Sequence, residues 1–197
     1  KDVGDFKTYP KFISYSSGDT LKHIYNTGTN GIDYFQAIYP ILNPSYKDLA
    51  YSTLFADIMC EVGIKNKNYE EIQQLQSQTL GQMSSNFIII KKLNNKNYQL
   101  GYKVGGYSLE SNSQKMQNLI QDTIDGFRLD ENDRINDLTK MHLSGIERNV
   151  TNSGHYFAMV SADAQISPWG AIAEKTGGIS YLMEIKKLRQ SDGNINV

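Results

Sequence analysis

Periodicity along this 197-residue chain switches from strand-like to helical, back again, and then to helical for good, with the segments arriving in pairs. Residues 12–41 read as extended, with turn signals at Ser17-Gly18-Asp19 and Thr27-Gly28-Thr29-Asn30-Gly31. A short segment, 21–25, lies between those turns, and the aromatic and β-branched run 32–39 follows them. Asn-Gly between two such runs predicts a hairpin, because both residues tolerate the positive φ that a tight two-residue turn needs. Asn43-Pro44 then predicts a helix opening, with Leu49, Leu54, Ile58 and Val62 on one face and Gly63 as its stop. Asn68-Tyr69-Glu70-Glu71 has the spacing of a capping box, and it predicts a second helix with Ile72, Leu75, Thr79 and Met83 on one side.

A second strand pair is expected at 86–93 and 98–109, around the polar turn 94–97. Beyond it the pattern is helical. One helix is capped by Ser111-Asn112-Ser113-Gln114 and runs to about Gly126, carrying Met116, Leu119, Ile120, Ile124 and Phe127. Asp130 is expected to cap the next, with Ile135, Leu138, His142 and Ile146 facing inward. A break at Asn152-Ser153-Gly154 precedes a third piece, where Gly154, Ala158 and Ala162 recur one turn apart and predict a close approach by a neighbouring element. Pro168-Trp169-Gly170 and Gly177-Gly178 read as punctuation before a last helix, 179–189. Strands in hairpins with helices in pairs predict an α+β fold: one mostly antiparallel sheet with paired helices packed on one face. The expected organisation is a lead-in segment at 1–18, a single α+β domain at 19–190 and a polar trailing segment at 191–197. With Lys rather than Met at position 1, the chain reads as a piece of a longer one.

Charge narrows the function classes. Twenty basic side chains face 21 acidic ones, a net of −1, so nothing draws the chain onto phosphate and no nucleic-acid partner is expected. No apolar run approaches the roughly 20 residues that cross a bilayer, so no membrane partner is expected either. One cysteine, Cys60, excludes an internal disulfide and a thiolate zinc cluster, and its apolar surroundings read as core. No two of His23, His142 and His155 have the spacing that sets both rings over one zinc ion, and neither H-E-x-x-H nor H-x-x-E-H occurs. There is no G-x-S-x-G elbow, and Gly101, Gly105 and Gly106 lack a phosphate-loop frame, so strand packing or a bulge explains them better. Glu70-Glu71 and Lys186-Lys187 with Arg189 read as charges matched to helix dipoles. No catalytic, cofactor-binding or metal-ligating residue is therefore assigned.

Two sets of residues nevertheless form a recognisable series. Thr29-Asn30-Gly31-Ile32-Asp33-Tyr34, then Leu54-Phe55-Ala56-Asp57-Ile58-Met59-Cys60-Glu61-Val62-Gly63, then Tyr69-Glu70-Glu71-Ile72 make the first. Ser153-Gly154-His155-Tyr156-Phe157-Ala158, Ala162 and Gly177-Gly178-Ile179-Ser180-Tyr181 make the second. In order and spacing, across roughly 20–188, the chain resembles the presequence-protease branch of the pitrilysin/insulinase zinc metallopeptidases, in particular the first domain of the family's non-catalytic C-terminal half.

That resemblance implies two clam-like halves around a peptide-degrading chamber, with zinc held by the N-terminal half and none by this segment. It implies as partners the N-terminal catalytic half of the same chain and unfolded peptides, and a location in the cytoplasm of a bacterium or an organelle of a eukaryote. No catalytic residue carries over. Ser153, Gly154 and His155 are the expected substrate-facing or packing motif, and a free sheet edge is where an extended peptide would add as a strand. The alternative is a structural or binding module of the same fold with no peptidase activity. A small-molecule enzyme using His155 and nearby carboxylates is a third reading.

Overall fold

The structure, a computed structural model, describes residues 12–17, 20–42, 45–91 and 98–191. The chain divides into two compact units, Lys1–Ile32 and Asp33–Val197. In the first, β1 (Phe12–Ser17) and β2 (Thr20–Tyr25) form an antiparallel hairpin with Ile13 opposite Ile24 and Tyr15 opposite Lys22. The Asn-Gly turn forms as expected. Asn30 and Gly31 take φ of 52° and 78°, and Ile32 N–H donates to the Thr29 carbonyl at 3.2 Å. It does not close a hairpin, however. Residues 26–29 leave strand geometry, so no ladder propagates from the turn; β2 pairs with β1, while β3 (Ile32–Pro40) belongs to a different sheet.

The second unit is α+β, as its periodicities predict. Its sheet is antiparallel in the order β3-β5-β4, where β4 is Gln82–Lys91 and β5 is Tyr98–Leu109. Glycines let the strands close on one another. A Cβ on Gly101 would lie 2.7 Å from the Tyr39 carbonyl oxygen, and one on Gly105 2.7 Å from that of Phe35. The β4–β5 register runs unbroken from Gln82↔Tyr107 to Lys91↔Tyr98, so no bulge interrupts that pair, and close approach to β3 accounts for Gly101 and Gly105.

Helix α1 (Leu49–Met59) is the centre of the unit. Its Met59, with Cys60 just beyond, packs on the inner sheet face with Val104 and with Met116 and Ile120 of α3 (Ser113–Gly126). Its Ala50, Leu54 and Ile58, with Val62, pack the opposite way. They meet Ile135 and Leu143 of α4 (Asn132–Asn152) and Tyr181, Leu182 and Ile185 of α7 (Ile179–Ser191). A helix covered on two sides must be apolar nearly all round, which is how its sequence reads. The predicted face of Leu49, Leu54, Ile58 and Val62 is buried throughout. The capping box is also present: Asn68 Oδ1 accepts from Glu71 N–H, and Glu71 Oε2 from Asn68 N–H, both at 2.9 Å, opening α2 (Tyr69–Thr79).

Several further expectations require correction. Helix α2 buries Ile72 and Thr79 but leaves Leu75 exposed, and Met83 lies in β4, which begins at Gln82 rather than 86. Asp130 does not cap α4; its carboxylate pairs with Arg128 at 2.8 Å, and the cap position is Glu131. Pro168-Trp169-Gly170 is not punctuation but the first turn of α6 (Pro168–Gly177), where Ser167 Oγ accepts from Gly170 N–H at 2.8 Å. Finally, Gly154, Ala158 and Ala162 of α5 (Gly154–Asp163) are exposed, and Phe157 and Val160 form its buried stripe. Two large side chains gain more by burial than three small ones, and they set the rotation of the helix. The opening signal Asn43-Pro44, the turn at Gly18-Asp19, most of the lead-in 1–18, the turn residues 94–97 and the trailing residues 192–197 lie outside the described residues.

Candidate functional site

Ser153 forms the corner between α4 and α5. Its N–H donates to the Asn149 carbonyl at 2.8 Å, ending α4, and its own carbonyl accepts from Tyr156 N–H at 2.9 Å, beginning α5. Its hydroxyl makes no capping bond, no atom lies within 4 Å of where a Cβ on Gly154 would sit, and His155 is exposed. The motif is therefore a surface corner, followed in α5 by the buried Phe157.

A second cluster has no signature in the sequence. Asp57 of α1, His142 of α4 and Tyr181 of α7 form one thread: His142 Nδ1 lies 3.2 Å from Asp57 Oδ2, and Nε2 lies 2.7 Å from the Tyr181 hydroxyl. Periodicity places His142 on an inner face but gives no means of finding two partners on other helices. Burial pushes the His142 pKa below its ordinary value, against the pull of Asp57. Burial likewise raises Asp57, opposed by His142, and raises Tyr181, helped by Asp57. Cys60 is core, as expected; burial lifts its thiol to about 11, with a Ser85 hydrogen bond opposing the effect and Glu61 adding to it.

Two further carboxylates serve the backbone. Glu131 accepts from Gly63 N–H at 2.7 Å and Tyr69 N–H at 3.1 Å, tying the loop after α1 to the start of α4. Glu174, buried in α6, accepts from Ser180 N–H at 2.8 Å and Ser161 Oγ at 3.0 Å, supplying α7 with an N-terminal acceptor. An apolar hollow of about 420 Å³ lies between α1, β5 and α7, walled by Tyr51, Phe55, Tyr102 and Leu188, with Asp48 at its polar side.

None of these arrangements fits a zinc ion. His142 has both ring nitrogens engaged, His23 Nδ1 lies 3.0 Å from Ser14 Oγ in the hairpin, and His155 stands on the α5 corner. Among the described residues no group of three or more His, Cys, Asp or Glu is placed to hold a metal. No described helix is long and apolar enough to cross a membrane.

The sequence pattern of the family described as peptidase M16, subfamily C, associated matches residues 6–188. The chain belongs to that peptidase-associated family. Its relatives bear out the resemblance drawn from the motif series. The mitochondrial presequence protease of Drosophila melanogaster is 25% identical over 197 residues, which is 100% of this chain and 19% of that protein. The mitochondrial presequence protease of Xenopus tropicalis is 27% identical over 180 residues, 90% of this chain and 17% of the relative. Presequence protease 1 of Arabidopsis thaliana, chloroplastic and mitochondrial, is 23% identical over 187 residues, 92% and 17% respectively. The chain thus spans under a fifth of the length of these relatives. It is a peptidase-associated region, and its buried α1–α4–α7 core and α5 surface corner are features of that region.

Proposed function

We propose that this chain is a non-catalytic wall of the chamber in which a presequence-protease-like peptidase degrades unfolded peptides. The match across 6–188, set against relatives several times longer, is the observation that carries this reading. A domain whose half-buried and buried carboxylates bind backbone amides, and whose half-buried histidine binds neighbouring side chains, is suited to enclosure rather than bond cleavage. In this reading the catalytic half of the same longer protein is its partner, and that half supplies the zinc. The corner Ser153-Gly154-His155 faces either substrate or an adjoining domain, and the location follows the mitochondrial or chloroplastic relatives.

The test compares two samples on one unstructured peptide. The 197-residue chain should leave the peptide intact. The longer protein should cleave it and lose that activity to a chelator. Cleavage by the isolated chain that persists in excess chelator, with contaminating proteases excluded, would defeat the wall assignment. A longer protein with no cleavage at all would favour the structural or binding module instead.

A further inference from the structure

Helices α1, α4 and α7 share an apolar core, and beside it runs the polar thread of Asp57, His142 and Tyr181. Each helix contributes one residue. With the ring neutral, both ring nitrogens are matched: Nδ1–H donates to the Asp57 carboxylate, and Nε2 accepts the Tyr181 O–H. A second ring proton breaks that match. Nε2 becomes a donor, so the Tyr181 hydrogen must turn elsewhere, and Tyr181 is only 2% exposed among Leu182, Ile185 and Leu143. A buried hydroxyl without an acceptor is costly.

We propose that Asp57, His142 and Tyr181 form a proton-sensitive latch, closed while the His142 ring is neutral and weakened when the ring takes a second proton, so that α1, α4 and α7 loosen together in mildly acidic solution. Tyr181 is too deeply buried to meet a substrate, so the thread acts as a tether. The neighbouring charges are engaged elsewhere. Glu61, just after α1, pairs with Arg134 at 3.1 Å, Lys186 of α7 with Glu147 at 2.6 Å, and Lys140 with Asp137 at 3.0 Å. On α6, packed against α1 and α7, Glu174 holds Ser161 and Ser180, while Lys175 lies over the Tyr46 ring. On α5, packed against α4, Asp163 accepts from Ser167, and His155 stands on the exposed corner.

The direction of the effect follows from burial. The folded-state pKa of His142 lies below its ordinary 6.5, so the unfolded chain takes the proton first. Stability from the latch is then fully present above 6.5 and is lost as pH falls from there through the folded-state value. Asp57 has the opposite sign: its raised pKa lets the folded chain take up a proton more readily than the unfolded one. That uptake offsets part of the loss at lower pH and confines the main effect to mild acid.

Hydrogen exchange on the 197-residue chain tests the latch, with rates corrected for the intrinsic pH dependence of exchange. Between about pH 7.5 and about pH 5.5, protection in α1, α4 and α7 should fall several-fold relative to α3. His142→Gln should abolish that differential loss. Tyr181→Phe removes the donor that favours a bare Nε2, so the His142 ring, followed by NMR, should titrate at a higher pH than in the parent. An equal differential loss in His142→Gln, or none in the parent, overturns the latch. Should His142→Gln fail to fold, the ring titration decides alone, and an unmoved midpoint in Tyr181→Phe overturns the proposal.

Discussion

Gly105 shows how little room the central strand leaves. A methyl group there would sit 2.7 Å from the Phe35 carbonyl oxygen and 3.0 Å from Gln36 Cγ, so either β3 or β5 must shift to admit it. Gly105→Ala should therefore destabilise the fold by about 1–3 kcal/mol, read as a lower midpoint in chemical denaturation. A midpoint equal to the parent's would mean that β3 and β5 are further apart than the sheet requires. Single carboxylates matter at this scale too. Glu131 and Glu174 each accept two hydrogen bonds from outside their own helices. Neither position is marked in the sequence, since an isolated glutamate in a helical stretch reads as a solvated charge.

At the scale of elements, α5 illustrates what rotation alone decides. Its ten residues offer a small-residue stripe and a large-residue stripe, and the structure buries the large one. Phe157→Ala should cost about 3–5 kcal/mol, whereas Ala158→Leu should change stability by less than about 0.5 kcal/mol. Thermal melts of the two variants check the assignment, and a large loss for Ala158→Leu with none for Phe157→Ala would reverse it. Helix α6 has a readable start that its glycines and proline disguise as punctuation. Ser167 followed by Pro168 is an N-cap followed by the residue favoured at the first helical position. The capping box of α2 is legible for the same reason: a cap is a local hydrogen bond between near neighbours in sequence.

For the whole molecule, the two units differ in what holds them. The Asp33–Val197 unit has buried clusters on both sides of α1, whereas the described side chains of the β1–β2 hairpin are exposed, Ile13, Tyr15 and Leu21 among them. A two-stranded hairpin is marginal in water by itself. Amides of β1 and β2 should thus exchange much faster than those of β5 in the same sample. Comparable protection in both would show that the hairpin has gained support outside its own two strands. In the chamber reading, support of that kind belongs to the longer protein.

Short-range information in the sequence is enough for the α+β class, the α2 capping box, the left-handed turn at Asn30-Gly31 and the inner face of Leu49, Leu54, Ile58 and Val62. Each depends on contacts within a few residues or on a periodicity that one element carries. The motif series from Thr29 to Tyr181 likewise suffices for the family. Tertiary structure alone decides that β3 pairs with β5, which stripe of α5 is buried, and that Asp57, His142 and Tyr181 meet. These depend on how separate elements rotate and dock. That is set by the packing of the whole core, which no local pattern encodes.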